Sequence, residues 1–223
     1  MSFEGKTSVL SQSDGSAELY IGNSKVVVSV TGPVEPKARQ ALPTLASLEI
    51  IVRPSVGLST TREKLLEDKL RSLLQRVIVR YKYPRQHIQI VVQFLISDNS
   101  LGNNDFTSNE LSAAINCCYF ALIDANIYLN CSFASISVSL KNDLMIRYPT
   151  FEQLVECDSH HVVCFSIQDK KADKILLVES VGNFKEADLF QIISDTANDC
   201  QDIHIRQREI IQEKINHDYV WKH

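Results

Sequence analysis

Residues 15–37 restrict the fold of this chain more than any other segment. Apolar side chains alternate with polar ones on both sides of the pair Gly22-Asn23, at Ala17, Leu19, Ile21, Val26, Val28 and Val30. A two-residue turn needs positive φ angles, which glycine and asparagine adopt readily. The alternation ends at Gly32-Pro33. The segment therefore predicts a β-hairpin that buries one of its faces.

Six later segments have the composition of β-strands. We predict strands over residues 46–53, 88–95, 131–140, 144–146, 162–167 and 175–181. Because Val91 and Leu95 make the second face of the 88–95 strand apolar, we predict that it is buried on both faces. Turns are predicted at Asn142-Asp143 and Asp169-Lys170-Lys171. The strands over 46–52 and 162–167 are too apolar for a solvated edge, so each is central in its sheet or covered by another element or chain.

Three polar sequences predict where helices begin. Thr60 and Glu63 have the spacing of a capping box, in which a hydroxyl and a carboxylate bind the first backbone amides, and Thr107 and Glu110 repeat it. Asn183 and Glu186 form a third predicted cap. Apolar residues follow each start at helical spacing. They are Leu65, Leu66, Leu70, Leu73, Leu74 and Val77, then Leu111, Ala114, Ile115, Cys118 and Leu122, then Ile193, Ala197, Cys200, Ile211 and Ile215. We predict an interruption of the last helix near Ile205.

Length and composition are typical of a soluble globular protein. At 223 residues the chain can bury a proper core, and no linker-like segment divides it, so we predict one domain over residues 1–223. The six cysteines include no CxxC pair, residues 1–5 lack the features of a secretory signal, and no apolar run approaches the ~20 residues that span a membrane. We therefore expect reduced core thiols in an intracellular chain that does not enter a membrane. The predicted fold class is α/β of the α+β type, with mixed sheets packed against helices.

Charge is unevenly distributed although the net charge is only -4. Residues 53–85 contain nine basic and three acidic side chains, whereas residues 183–218 contain four basic and eight acidic ones. One face of the molecule would then attract phosphate groups while another repels them. Two solvated helix faces explain the same numbers equally well.

Residues 157–164 contain four potential zinc ligands: Cys157, His160, His161 and Cys164. His161 and Cys164 are separated by an odd number of positions on a predicted strand, so their side chains point to opposite faces. The four residues are also more crowded than the paired ligands of zinc modules. We therefore predict a core thiol at Cys164 with histidines on the solvent side, and no metal.

Several short motifs resemble the RNase PH family. The hairpin segment is similar to that family's "GSA…G.T.V.V.V.GP.E" opening, residues 83–88 to its "YPR..I.I" approach to a central strand, and residues 116–126 to its "A..LAL.DA.I" helix. The predicted order of strands and helices agrees. The resemblance implies a single RNase PH-type domain, similar to the second domain of ribosomal protein S5. Phosphorolytic exoribonucleases and ring subunits of the RNA exosome share this fold.

The resemblance also implies where an active member would hold its catalytic groups. A phosphate-binding loop with an arginine would precede the helix at Thr107, but residues 98–106 contain no Arg or Lys and carry Asp98 and Asp105. Tyr148 stands where the family has an Asp-Pro, which leaves Asp158 as a lone acid, and the family's N-terminal "DGR" is missing. The chain is therefore expected to be no enzyme, with no catalytic residue, metal or cofactor. The alternatives are an active phosphorolytic 3′-to-5′ exoribonuclease and, more weakly, a stand-alone RNA-binding module.

A non-catalytic ring subunit of the eukaryotic exosome is what the resemblance implies instead. Its partners would be paralogous RNase PH-type subunits in a hexameric ring, RNA-binding cap subunits, an associated nuclease and RNA in the channel. The expected work is RNA processing and degradation, including rRNA maturation, in the nucleus, nucleolus and cytoplasm. Residues 59–62 resemble the family's phosphate-facing "T.TR", so Arg53 and Arg62 are predicted to contact RNA. An exposed arginine and a first-turn helix residue explain the same two positions.

Overall fold

The computed structural model describes residues 3–37, 39–97, 107–141 and 144–218. The strands are β1 (Phe3–Thr7), β2 (Gly15–Ile21), β3 (Ser24–Val34), β4 (Ser47–Arg53), β5 (His87–Ile96), β6 (Ser132–Lys141), β7 (Leu144–Arg147), β8 (Ser159–Gln168) and β9 (Lys171–Gly182). The α-helices are α1 (Thr61–Val77), α2 (Ser108–Asp124), α3 (Phe151–Glu156) and α4 (Glu186–Asp218), and Arg80–Lys82 forms a 3-10 turn. The strands make two sheets, in the orders β1-β2-β3-β5-β4 and β7-β6-β8-β9.

Strands β2 and β3 form the predicted hairpin. Gly22 turns the chain with φ of +58°, and the facing side chains of Leu19 and Val26 are fully buried. The hairpin prediction is therefore confirmed. Strand β1 pairs antiparallel with the other edge of β2. Its sequence gives only a weak strand signal, because it is five residues long and contains one large apolar side chain, Phe3.

Helix α1 connects β4 to β5, which lie parallel at one edge of the five-stranded sheet. Its predicted capping box is present, because the Glu63 carboxylate accepts from the Thr60 backbone N–H at 2.6 Å while the Thr60 hydroxyl caps the first turn. Strand β4 is an edge strand packed against α1, with Ile50 and Val52 in the core together with Ala46, which directly precedes the strand. Cover by a helix of the same chain thus accounts for its apolar face.

Strand β5 is not buried on both faces, so this prediction was wrong. Ile88, Ile90 and Val92 lie in the core, but Val91 is half-buried and Leu95 is 46% exposed. Within the described residues, the helices cover one face of this sheet and leave the other open. An apolar residue at the surface is ordinary, so it is weak evidence for burial.

Helix α2 lies between the two sheets and is buried on nearly all sides. It packs against β2 and β3 on one side and β6 and β8 on the other, and fourteen of its seventeen residues are buried. The predicted stripe along one face is therefore only part of its buried surface. Asn116 joins the helix to the second sheet, since its side chain exchanges two hydrogen bonds with the Ser135 backbone at 2.8 and 3.0 Å.

The four-stranded sheet contains the later predicted strands. Strand β8 lies between β6 and β9, so its apolar segment 162–167 is explained by a central position. Asp169 and Lys170 make the predicted turn with φ angles of +49° and +68°. The turn predicted at Asn142-Asp143 lies outside the described residues.

Two predictions for the C-terminal helix were wrong. Helix α4 runs without a break from Glu186 to Asp218, because Cys200, His204 and Gln207 continue its buried stripe past Ile205. Its start is fixed by Asp188, whose carboxylate accepts from the Lys185 backbone N–H at 3.0 Å, rather than by Asn183 and Glu186. Among the described helices, none is long and apolar enough to cross a membrane.

The carboxylate of Asp124 joins three elements at the end of α2. It accepts hydrogen bonds from the backbone N–H groups of Ser16 at 2.8 Å and Ser8 at 3.2 Å, and it forms an ion pair with Lys214 of α4. These contacts hold its pKa below the usual range, although its burial acts in the opposite direction and would raise the pKa. The contacts therefore connect the first hairpin, α2 and α4.

Candidate functional site

The first turn of α2 is where an active family member would bind phosphate. The predicted loop 98–106, with Asp98 and Asp105, lies outside the described residues. Thr107 occupies the N-cap position but its side chain makes no capping hydrogen bond, so the capping box predicted for Thr107 and Glu110 was wrong. The reason is that the Glu110 carboxylate turns to Arg62 and Ser97 instead.

Arg62 lies against this turn and is 9% exposed. One of its terminal nitrogens pairs with Glu110, and the other lies 3.4 Å from the Glu63 carboxylate. Hydrogen bonds from Thr60 hold the pKa of Glu63 below its usual value, although burial acts in the opposite direction. The ion pair with Glu110 links α1 to α2 and holds the Arg62 guanidinium inside the protein.

A cleft of about 490 Å³ opens beside this ion pair. Arg62, Glu63, Glu110 and Ser97 lie at its base, and apolar side chains of residues 54–58 and the end of β5 line its rim. Val56 and Leu58 on that rim are 88% and 89% exposed. Because the base combines one cation with two carboxylates, the cleft does not favour a free anion.

Tyr148 lies on the other side of the same helix turn. The Tyr148 N–H donates to Ser137 at 2.9 Å, and the Asn109 side chain of α2 donates to the Pro149 carbonyl at 2.6 Å. The Tyr148 hydroxyl is buried and has no hydrogen-bond partner among the described residues, and its burial raises its pKa far above the usual value. A phenol in this state remains protonated near neutrality and is neither a metal ligand nor a useful acid.

The space next to Tyr148 is small. A cavity of about 40 Å³ is lined by Tyr148, Pro149, Asn109 and the turn of the first hairpin, which leaves room for little more than one water molecule. Asp158, the other predicted acidic position, is exposed and does not line this cavity. Its main chain is fixed instead, by hydrogen bonds of 2.9 Å with Leu140 and Asn183. The structure thus does not bring Asp158 into the space beside Tyr148.

The cysteines and histidines of residues 157–164 make contacts that are typical of structural residues. Cys164 is fully buried, as predicted, but the prediction of solvent-side histidines was wrong: His160 and His161 are 7% and 0% exposed. Nine of the ten residues of β8 are buried, so side chains on both of its faces are covered, and the His161 ring packs edge-on against Phe184 with centroids 4.9 Å apart. Both ring nitrogens of His161 contact serine hydroxyls, at 2.9 Å to Ser159 and 2.8 Å to Ser180. In the described part of the chain, no group of three or more His, Cys, Asp or Glu residues is placed to hold a metal ion.

Many basic side chains of residues 53–85 have partners within the protein. Lys69 pairs with Glu179 at 2.8 Å, Arg71 pairs with Asp68 at 2.9 Å, and Lys82 lies 3.7 Å over the Tyr128 ring. Arg53, by contrast, is exposed at the end of β4. An RNA contact by Arg53 or Arg62 stays a prediction, and it is sterically simpler for Arg53.

Comparison with known proteins identifies the family. Residues 2–128 match the RNase PH family, described as 3′ exoribonuclease family, domain 1. The chain therefore belongs to this family, and its fold is a single RNase PH domain with mixed sheets and helices, as the sequence motifs predicted.

Its relatives include subunits of one complex. The chain is 43% identical over 220 residues to the exosome complex component RRP46 of Saccharomyces cerevisiae. The aligned region covers 97% of this chain and 98% of the relative. It is 28% identical over 209 residues to rrp46 of Schizosaccharomyces pombe, covering 93% and 88%. The crystal structure of rice (Oryza sativa) Rrp46 has a TM-score of 0.81 at 23% identity and covers 93% of each chain. At this identity the rice structure supports the fold.

Proposed function

We propose that this chain is a non-catalytic, structural ring subunit of the RNA exosome. The observation that carries the proposal is the 43% identity over 97% of the chain with a yeast protein named as an exosome component. Identity over almost the whole of both chains favours the same place in the same assembly. The chain would then support the threading of RNA for 3′-to-5′ processing and degradation, including rRNA maturation.

The geometry at α2 supports the absence of catalysis. Phosphorolysis needs an anion pocket for the attacking phosphate and stabilisation of charge on the departing oxygen. Here the carboxylate of Glu110 forms an ion pair with Arg62 beside the first turn of α2. On the opposite side stands a neutral, buried phenol, Tyr148. These features favour a scaffold over an active phosphorolytic exoribonuclease.

The proposed partners are paralogous RNase PH-type chains in a hexameric ring, with RNA-binding cap subunits, a separate nuclease and RNA in the channel. Some apolar side chains are largely exposed and therefore available for such interfaces, although single exposed apolar residues are ordinary on protein surfaces. Val56, Leu58, Leu144 and Phe190 are between 62% and 89% exposed. Strand β9 also leaves one edge unpaired along twelve residues within the described sheet. We further propose that the assembly acts in the nucleus and nucleolus and also in the cytoplasm.

A phosphorolysis assay tests the catalytic half of the proposal. The coexpressed complex, incubated with single-stranded RNA, phosphate and magnesium, is expected to release no nucleoside diphosphates that depend on this chain. Replacing Asp98, Asp105 or Asp158 by alanine should therefore leave the activity of the whole complex unchanged. Turnover that disappears with Asp158→Asn would establish the enzyme alternative.

A further inference from the structure

A cavity of about 710 Å³ lies at the C-terminal end of α2, away from the first turn of that helix. Its walls come from the end of α2, the first residue of β6, the turn between β8 and β9, and one face of α4. A volume of this size is typical of pockets that bind small molecules. None of its lining residues lines the cleft beside Arg62 or the small space beside Tyr148. The cavity is therefore a separate candidate for a binding site.

Two of the side chains that line the cavity are almost completely buried. Tyr119 and His204 are 4% and 6% exposed, and their rings meet edge to face with centroids 6.2 Å apart. The Tyr119 hydroxyl donates to the Ser132 hydroxyl at 3.2 Å, so Ser132 keeps its own hydroxyl proton for another acceptor. Because these side chains are already ordered, they lose little conformational entropy when a ligand binds.

The hydrogen bonds of His204 determine which of its ring nitrogens carries the proton. The Gln207 side chain donates from Nε2 to Asn116 at 3.3 Å, so its Oε1 faces His204 Nδ1 at 3.4 Å. Because Oε1 accepts, Nδ1 carries the proton of the neutral ring. Burial lowers the pKa of His204 and so favours this neutral ring near pH 7. The Nε2 atom of His204 has no partner within the described residues and is left as an acceptor for a hydroxyl group.

Two cations line the same cavity: Lys170, in the turn between β8 and β9, and Arg208 on α4. Neither forms an ion pair with a carboxylate in the described part of the chain. Burial raises the pKa of Tyr119 while the charge of Arg208 acts in the opposite direction, so the guanidinium lies near the phenol. Asp169 is the one carboxylate among the described lining residues, and the acidic side chains of α4 do not line the cavity. The lining therefore carries one excess positive charge.

We propose that this cavity binds a small phosphate ester that carries hydroxyl groups, such as a ribonucleotide or a sugar phosphate. The phosphate group lies between Arg208 and Lys170, since guanidinium and ammonium groups bind phosphate through charge-assisted hydrogen bonds. A ligand hydroxyl donates to Nε2 of His204, and the Ser132 hydroxyl donates to a further ligand oxygen. The inference concerns this chain alone and does not depend on its place in a ring.

Labelling with pyridoxal 5′-phosphate tests the proposal on the full chain within its coexpressed complex. The aldehyde of this reagent condenses with a lysine amine with loss of water, and borohydride reduces the imine to a stable amine that mass spectrometry locates. Lys170 should be labelled roughly tenfold more than Lys171, because a phosphate held by Arg208 places the aldehyde beside Lys170. Lys171 is also exposed but does not line the cavity. Pyridoxal, which lacks the phosphate, should label both lysines about equally.

Competition then identifies the class of ligand. UMP should protect Lys170 at a roughly tenfold lower concentration than methyl phosphate, which has no hydroxylated body, at an ionic strength matched with chloride. Equal protection by ribose 5-phosphate and UMP would establish that a sugar phosphate is sufficient, and protection by UMP alone would restrict the site to nucleotides. Methyl phosphate that protects as well as UMP would contradict a ligand with hydroxyl groups.

Two variants of exposed arginines on α4 complete the test. Arg208→Gln should remove the preference of the reagent for Lys170, because the phosphate loses its guanidinium partner. Arg206→Gln is the matched control, since Arg206 is exposed on the same helix but does not line the cavity, and it should keep the preference. The proposal is overturned if pyridoxal 5′-phosphate labels Lys170 and Lys171 equally in the unmodified protein, or if the preference survives in Arg208→Gln.

Discussion

The buried hydroxyl of Tyr148 has no hydrogen-bond partner in the described part of the chain. No well-directed hydrogen bond joins its hydroxyl to Ser112, the polar side chain next to it. Tyr148→Phe should therefore leave the free energy of unfolding unchanged or raise it by up to about 1 kcal/mol, because a desolvated hydroxyl is removed. Urea denaturation measures this difference. Tyr119→Phe is the matched control and should lose about 1 kcal/mol, since its hydroxyl donates to Ser132 at 3.2 Å.

The burial of His161 leads us to expect that the stability of the protein depends on pH. Its burial lowers the pKa from 6.5 to about 4, and nearby His160 acts in the same direction. The unfolded chain therefore binds a proton between pH 6.5 and 4 that the folded chain does not bind. The contribution of neutral His161 to the free energy of unfolding should be fully present above pH 6.5. The free energy of unfolding should then fall by about 2 to 3 kcal/mol as the pH drops to 4.

Urea denaturation at several pH values measures this loss. His161→Gln, which stays neutral throughout, should show a smaller fall between pH 6.5 and 4. His217→Gln replaces a histidine that is 89% exposed and should keep the slope of the unmodified protein. Identical slopes in all three proteins would contradict the account of His161.

Arg53 offers a test of the predicted RNA contact. Arg53→Glu should weaken the protection of RNA by the assembled complex, and the difference should shrink at high salt because phosphate contacts release counterions. Arg71→Glu is the control, since Arg71 is already paired with exposed Asp68. Equal protection by the two variants at low salt would contradict an RNA contact by Arg53.

The residues of the candidate site show how far sequence reasoning extends. The positions of Tyr148 and Asp158 were predicted from their spacing to the family motifs. That spacing shows which residues replace the acids of an active member. The ion pair of Arg62 with Glu110 could not be predicted in this way, because the two residues are 48 positions apart and lie on different helices. Glu110 also matched a local capping pattern, and only tertiary packing decided against it.

At the scale of elements, local signals were sufficient where one stretch determines its own structure. The hairpin and the capping box of α1 are such cases. Strand β1 forms only because β2 offers it an edge, and it has little pattern of its own. Helix α3 begins with a Thr150–Gln153 capping box, but its six residues are too few for a visible apolar stripe. Helix α4 crosses Ile205 unbroken because polar His204 and Gln207 occupy buried positions.

The ion pair of Asp124 with Lys214 predicts coupling between elements. Lys214→Met should reduce stability by about 1 to 3 kcal/mol, because it leaves a partly buried carboxylate without its cation. Hydrogen exchange should increase most in the last turns of α4 and around Ser8, just after β1, because Lys214 also donates to the Ser8 hydroxyl at 2.6 Å. Lys141→Met removes an exposed pair with Glu156 and should change stability by less than about 0.5 kcal/mol. Uniform exchange in Lys214→Met would argue against the coupling.

At the scale of the whole molecule, the account predicts that the chain depends on its neighbours. Obligate interfaces bury more than about 2,000 Å² of largely apolar surface, so an isolated subunit should associate non-specifically. The exposed side chains of Val56, Leu58 and Phe190 belong to such a surface in the proposed ring. Expressed alone, the chain should aggregate or form ill-defined oligomers. Coexpression with a related ring subunit should give a soluble heterodimer, detected by size-exclusion chromatography.

The most direct test of the proposed role is native mass spectrometry of the complex purified through a tag on this chain at its native expression level. The account predicts one copy of the chain in a ring of related but different RNase PH-type subunits. A ring made only of this chain would favour the phosphorolytic alternative, and a stable monomer would favour the stand-alone RNA-binding module. Either result would contradict a structural subunit of the exosome ring.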